Sequence, residues 1–430
     1  TDSRITSSGG ELSVTGLGGG TGASGSNVGV YVLSAGQITA GGSGKVTVQG
    51  TGGATLGDNN SGVFIFDTDA QITSSGGNVS VTGVEGGGPS GTGFVNQSDG
   101  IVTTVPNGGT ITLIANSMSI GALGVSTPSG NSVTLRPYTN GVQIDLGSAT
   151  DPIGGPLGLS DTELDLVTTG TLIIGNALAG TITVSADITR SASTNVQLLS
   201  GGDVTISGGG INTGGGTLLL DPGTSPAAVK PTFTGTDATA STVSFASDLN
   251  IDIDGTTAGT QYNQLTVVGS VNLTGVELKF LGSSHTPTIG ETFTIVDNDD
   301  TDAVVGTFNG LPQNAVIPNF LGSVLGAQIS YTGGTGNDVV LTVVPICSTI
   351  TFTATPANAC GMSSDGQIAI SGETGGTAPY MYSIDNGMNY QMGATFTGLA
   401  ANTYPVKIKD ANGCESAVEN VVVGSTPTTT

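Results

Sequence analysis

The chain has 430 residues, long enough for two or three domains, and carries 73 Gly, no Trp and only 9 % charged residues, against about 25 % in ordinary soluble proteins. Its net charge of −24 reflects 8 Lys+Arg against 32 Asp+Glu. So few cations exclude nucleic acid and anionic membrane surfaces, both of which are held by clustered Lys and Arg.

The 36 % of hydrophobic residues argue against disorder because they fall in alternation, and the Gly residues lack the G-X-Y period of collagen. There is no run of 18 apolar residues, so neither a transmembrane helix nor membrane insertion is expected. Thr1 enters partway through a repeat with no signal peptide before it, which reads as a mature or excised piece of a longer secreted chain.

Residues 1–118 write one pattern several times: ITSSGGELSVTG from Ile5, QITAGGSGKVTVQG from Gln37, QITSSGGNVSVTG from Gln71 and GIVTTVPNGGTITLIA from Gly100. The leading Ile5, Ile38, Ile72 and Ile101 are 33, 34 and 29 residues apart, a period that marks a stacked architecture. Each repeat reads as three short strands. The second strand carries the pairs Leu12/Val14, Val46/Val48, Val79/Val81 and Ile111/Leu113. The third carries Val28/Val30/Val32 and then Val63/Ile65, with Phe94 in the next copy. Apolar residues two apart share one face of a strand, so stacking the repeats builds an interior column. Gly-rich stretches between the strands serve as corners.

No apolar stripe of helical period competes. Residues 119–225 keep the rhythm at about 11-residue steps, including the pairs Leu164/Leu166 and Leu172/Ile174. The fold class read from these patterns is all-β, a right-handed β-helix (β-solenoid). Pro222, Pro226 and Pro231 mark a break in the ladders, and residues 226–344 are read as terminal coils and a cap. Residues 345–424 form a separate small β domain, and residues 425–430 a linker stub. Ten coils at about 4.8 Å each would make a stalk of about 50 Å.

Two resemblances follow from these residues. The segment GLSDTELDLVTTGTLIIGNALAGTITVSADI, residues 158–188, resembles large haemagglutinin-like and autotransporter-like bacterial surface proteins, which are long right-handed β-helices. GGTAPYMYSIDNG (375–387) and FTGLAANTYPVKIKDANGC (396–414) resemble the SprB-type repeat of gliding-motility adhesins from Bacteroidetes-like surface proteins. That second resemblance implies an immunoglobulin-like sandwich, an extracellular or cell-surface location and export by a type IX route. It also implies a Cys360–Cys414 disulfide, leaving Cys347 free, paired to Cys360 instead, or bonded to another chain. Pro405 departs from the family pattern and suggests an edge strand or bulge. All three Cys fall after residue 346, which suits an oxidising compartment.

Candidate chemistry is sparse. GGTGNDVVL (333–341), with Asp338, fits the Ca²⁺-binding nonapeptide, but in one copy where two stacked copies are needed. Asp297, Asp299, Asp300 and Asp302 crowd one loop that either takes Ca²⁺ or is simply solvated. Asp252 and Asp254 point outward from one strand, as in a polysaccharide-cleaving pair, without accompanying cations. His285 is the sole histidine, which excludes His-based triads and multi-His metal sites. An outward ladder of Ser13/Thr15, Thr47/Gln49, Ser80/Thr82 and Thr110/Thr112 could take ice or sugars, or be a wet face.

These readings converge on a non-enzymatic, extracellular structural or adhesive protein, with no catalytic or cofactor residues and Ca²⁺ as the one ion considered. It is read as a segment of a surface adhesin or the repeating subunit of a filament. Its partners are other copies of itself, or surface glycans, host or substratum. The alternative is a carbohydrate-active lyase or hydrolase, or a glycan- or ice-binding surface.

Overall fold

The computed structural model describes residues 3–105, 108–121, 123–224, 227–232, 235–281, 284–299 and 301–427. It is all-β, with large parallel sheets, and divides into two compact units. The first comprises residues 1–286, 292–315 and 329–341, and the second 287–291, 316–328 and 342–430.

In the first unit the repeats become stacked strands. β1 (Arg4–Ser7), β2 (Leu12–Leu17) and β3 (Val30–Leu33) are followed by β4 (Gln37–Ala40), β5 (Val46–Thr51) and β6 (Val63–Phe66). Then come β7 (Gln71–Ser74), β8 (Val79–Val84), β9 (Phe94–Gln97), β10 (Ile101–Thr104), β11 (Ile111–Ile114) and β12 (Met118–Ile120). Every strand pairs in parallel with its equivalent one repeat later: β1-β4-β7-β10, β2-β5-β8-β11 and β3-β6-β9-β12. The second of these sheets runs on through Ser132–Arg136, Thr171–Gly175, Asn195–Leu199 and Thr217–Asp221 to Ala238–Phe245 and Leu265–Asn272.

Alternation decides which side chains face inward. Val46, Val48, Val79, Val81, Ile111, Leu113, Val133 and Leu135 are all buried to within about one per cent. Each such side chain contributes roughly 1.5–3 kcal/mol when removed from water. Register differs from the sequence reading at one point. Ile5, Ile38 and Ile72 align, but the next rung is Val102, while the half-buried Ile101 pairs with Gln71. In a period-two strand the buried β-branched residue sets the register, whatever the letter match.

Glycines close the corners between the second and third strands. A Cβ on Gly50 would fall 2.1 Å from the carbonyl oxygen of Gly62, and one on Gly83 would fall 1.9 Å from that of Gly93. Only a residue without a side chain permits that approach. Val28 therefore lies in the loop before the Gly29 corner rather than in the strand core, and is half-buried.

The long loops before β3, β6 and β9 are held by an internal amide cage. Asn60 is fully buried, and its Nδ2 lies 2.8 Å from Gly57 O, 2.7 Å from Gly87 O and 2.9 Å from Thr55 Oγ1. Its Oδ1 accepts from Asn27 N at 3.0 Å and Asn27 Nδ2 at 2.9 Å. One side chain thus fastens three successive repeats.

Two expectations are corrected here. A short helix, α1 (Asp161–Asp165), replaces the strand expected around Leu164/Leu166. Its cause is a capping box: Ser160 Oγ accepts from Glu163 N, while the Glu163 carboxylate accepts from Ser160 N at 3.0 Å. Nor do Pro222 and Pro231 break the ladders (Pro226 lies outside the described residues). The strand Ala228–Pro231 pairs with Val204–Ile206 on one side and Asp248–Asp252 on the other. Pro231 ends its strand, and the next amide, Thr232 N–H, donates to Ile206 O at 2.7 Å.

The second unit contains two three-stranded antiparallel sheets. Thr351–Ala357, Gly366–Thr374 and Thr395–Leu399 form one, and Met381–Ser383, Asn402–Lys409 and Glu419–Val423 the other. They share a core of Ile350, Ile368, Tyr382, Val406, Ile408, Cys414, Val421 and Val423 among others. Pro405 lies where its strand pairs only with Glu419–Val423, because the pairing to Met381–Ser383 begins at Lys407.

The expected Cys360–Cys414 bridge is not formed. Cys414, 2 % exposed in the core, is bonded to Cys347 with a Cα–Cα distance of 5.4 Å, and Cys360 is a free, exposed thiol. Cys360 sits in the two-residue strand Ala359–Cys360, where Ala359 takes the inward position and turns the thiol outward.

Two outcomes follow for stability. Asn60→Ala should lower unfolding stability by about 2–4 kcal/mol, read from urea denaturation, because it strands several buried partners. Cys414→Ser should cost the C-terminal unit about 2–5 kcal/mol, whereas Cys360→Ser should leave the midpoint unchanged.

Candidate functional site

The two acidic motifs meet, but through backbone chemistry. Asp338, 3 % exposed, accepts from Asn298 N at 2.9 Å through Oδ1 and from Thr335 N at 2.9 Å through Oδ2. The adjacent Asn337 Nδ2 donates to the carbonyls of Asp299 and Asp302 at 2.9 and 2.8 Å. An amide NH₂ therefore occupies the convergence of carbonyls that a Ca²⁺ ion would otherwise draw together. Asp299 Oδ1 accepts from Gly269 N at 3.0 Å. Burial raises the Asp297 pKa above the ordinary range, and neighbouring Asp338 adds to it. Asp300 lies outside the described residues. Among the described residues, no three His, Cys, Asp or Glu side chains are grouped to hold a metal.

Asp252 and Asp254 diverge in environment. Asp252 is half-buried, which raises its pKa, whereas exposed Asp254 is held low by hydrogen bonds from Ser284 N at 2.9 Å and Ser284 Oγ at 3.0 Å. His285 stands edge-on to Phe293 at 5.9 Å rather than fully exposed.

The outward ladder of the second sheet is shifted and irregular. Its rungs are Ser13, Thr47, Ser80 and Thr112, then Thr134, Ile173, Gln197 and Leu219. Thr110 lies outside β11, and the companion row runs Thr15, Gln49, Thr82, Ile114, Arg136. A flat, uniform Thr array is not present on this sheet.

A concavity lies on the third sheet. Its outward row is Tyr31, Phe64, Val95, Ser119, in register across β3, β6, β9 and β12. Tyr31 is 51 % exposed and meets Phe64 edge-to-face at 5.2 Å, and Phe64 lies 5.9 Å from Phe66. The wall is made by the stacked loops before β3, β6 and β9, which present Ser26, Asn59 and Ser90, with Val28, Ser61 and Thr92 beneath. The equivalent loop before β12 has only residues 115–117, so the wall stops there. The groove encloses about 420 Å³, and none of its lining residues is charged. The sequence did carry a signal: alternate positions of NVGVYVLS and GVFIFDTD place aromatics opposite the core.

Two carboxyls, the half-buried Asp151 and the buried Asp237, stand apart from the groove's chemistry. Asp151 accepts from Met118 N at 2.9 Å and Gly158 N at 2.6 Å, yet burial pushes its pKa up to about 7. Asp237 is fully buried, accepts from Thr266 N at 2.7 Å, and is likewise pushed up to about 7 by burial.

No family model, curated protein or solved structure matches the chain.

Both carboxyls keep their protons in the folded state to about pH 7 but lose them near 3.8 when unfolded. Their contribution is fully present below that lower value and is lost as pH rises to about 7. Carboxylates held low, such as Asp385 and Glu415 at about 2, act in the opposite sense only at more acidic pH. Thermal unfolding should therefore show a higher midpoint at pH 5 than at pH 8. The Asp151→Asn/Asp237→Asn variant should flatten that slope.

Proposed function

We propose that the chain is a non-enzymatic structural or adhesive protein of the cell exterior, its first unit a right-handed β-helix and its second an immunoglobulin-like module. It would act as a surface-adhesin segment or as the repeating subunit of a filament. The resemblances of residues 158–188 and 375–414 to surface adhesins support this reading, as does the scarcity of cations.

One observation carries the assembly. Among the described residues β1, β2 and β3 each have a ladder partner on one side only. The inward residues Leu12 and Val14 are only half-buried, whereas their equivalents Val46 and Val48 are completely covered. That outer edge, beside partly wet apolar residues, is a template for another parallel rung, supplied by a preceding stretch of the same chain or by a second copy. A second copy docked head-to-tail would continue all three ladders at once. Ca²⁺ is not required for this docking.

Sedimentation velocity over a concentration series should show self-association that is lost in Leu12→Glu/Val14→Glu, with the circular dichroism spectrum unchanged. A wild-type chain that stays monomeric at the highest concentration, with isolated particles by negative stain, would reject the assembly.

A further inference from the structure

The groove on β3, β6, β9 and β12 has the chemistry of a receptor rather than of a covered face. Its floor is aromatic at the end of highest exposure, where Tyr31 is exposed and meets the half-buried Phe64 edge-to-face. Its rim offers hydroxyl and carboxamide groups, which both donate and accept: Ser26, Asn59, Ser90, Thr92 and Gln97. A molecule that fits must be apolar on one face, rich in paired donors and acceptors at its edges, and uncharged. A saccharide meets all three conditions, since its C–H face stacks on an aromatic ring while its hydroxyls reach the rim.

Charge narrows the class. With no charged lining residue and a net charge of −24, the molecule offers nothing to neutralise an anionic polymer and would repel one at low salt. A peptide strand would instead look for open ladder groups. Across the groove floor β6 and β9 are paired on both sides and the open backbone is confined to the outer edges of β3 and β12, so the face itself offers side chains only.

The support beneath the wall is the second, independent observation. Three successive loops of 9–12 residues precede β3, β6 and β9, where three residues suffice before β12. Ordering long Gly-rich loops carries a large conformational cost. That cost is met by the Asn27–Asn60–Thr55 cage, which holds the backbone of the loops that carry Ser26, Asn59 and Ser90. A wall that is long, tied by side-chain hydrogen bonds and absent beside β12, where the row ends in Ser119, is pre-organised for a ligand lying across the repeats.

We propose that this groove binds an uncharged oligosaccharide, lying along the repeat direction over Tyr31 and Phe64 with its hydroxyls on the Ser26–Asn59–Ser90 rim. This reading goes beyond the structural role and does not depend on it, because binding needs no second copy.

The test is calorimetry and affinity electrophoresis of the full chain with cellohexaose, xylohexaose, mannohexaose and an array of neutral glycans, with polygalacturonate oligomers as the anionic control. At least one neutral glycan should bind, with affinity insensitive to added salt. Tyr31→Ala and Asn59→Ala should each weaken it about five- to tenfold. Thr47→Ala, on the second sheet, should leave it unchanged. Tyr31 is exposed, so Tyr31→Ala should keep the wild-type fold, whereas Asn59 has a φ of 59°, so Asn59→Gly, which accepts that backbone, is measured beside Asn59→Ala to separate lost contact from lost stability. The proposal fails if no neutral glycan binds, if the anionic oligomers bind in preference, or if affinity survives Tyr31→Ala. It also fails if Tyr31→Ala abolishes self-association instead, which would make the groove a contact between copies.

Discussion

Parallel pairing of each repeat on the next is the constraint from which the first unit follows. A strand hydrogen-bonded on both sides to its own equivalents must present the same face inward at every level, so its apolar residues accumulate in columns. A slip of one residue would turn a whole column into water. That penalty explains why Val102, and not Ile101, takes the rung above Ile72. It also explains why Gly50 and Gly83 are indispensable: a corner that failed to close would shift the next strand out of register.

Several of the polar side chains that enter the interior do the work of fasteners. Asn60 binds three repeats. Asn96, fully buried on β9, donates to Gly100 O and Gly124 O at 3.0 Å each and ties the following turns together. Arg190, 6 % exposed, donates to the carbonyls of Leu164 in α1 and of Val167 just after it. Asn337 joins the carbonyls of Asp299 and Asp302. In every case a side-chain N–H satisfies carbonyls that regular pairing leaves open, which is what a dry interior demands. Seen this way, the dense acidic loop is a backbone knot held by an amide.

The groove is a by-product of the same arithmetic. A repeat of about 33 residues holds three short strands and has residues to spare, and they are spent in one place, before the third strand. Stacking multiplies a single outward position into a row, so the aromatics of two successive repeats, Tyr31 and Phe64, become one surface.

Much of this was legible in the letters. Alternation at Val46/Val48 and Val79/Val81, the 33-residue step and the glycine corners determine an all-β chain with stacked equivalents, because period-two burial and close backbone approach are local demands that a sequence states directly. Tertiary structure decided the rest. The one-turn helix Asp161–Asp165 is an exception, since its capping box of Ser160 and Glu163 is a local signal that the alternation of Leu164 and Leu166 obscured. Cys414 bonds to Cys347 rather than Cys360 because the small sheets turn one thiol into the core and the other into solvent, a matter of which Cβ atoms approach and not of spacing. The outward Tyr31 and Phe64 become the floor of a groove only when three long loops, far apart in sequence, stand beside them on the same face. Inward positions announce themselves by pattern, whereas outward ones gain meaning only from what is packed next to them.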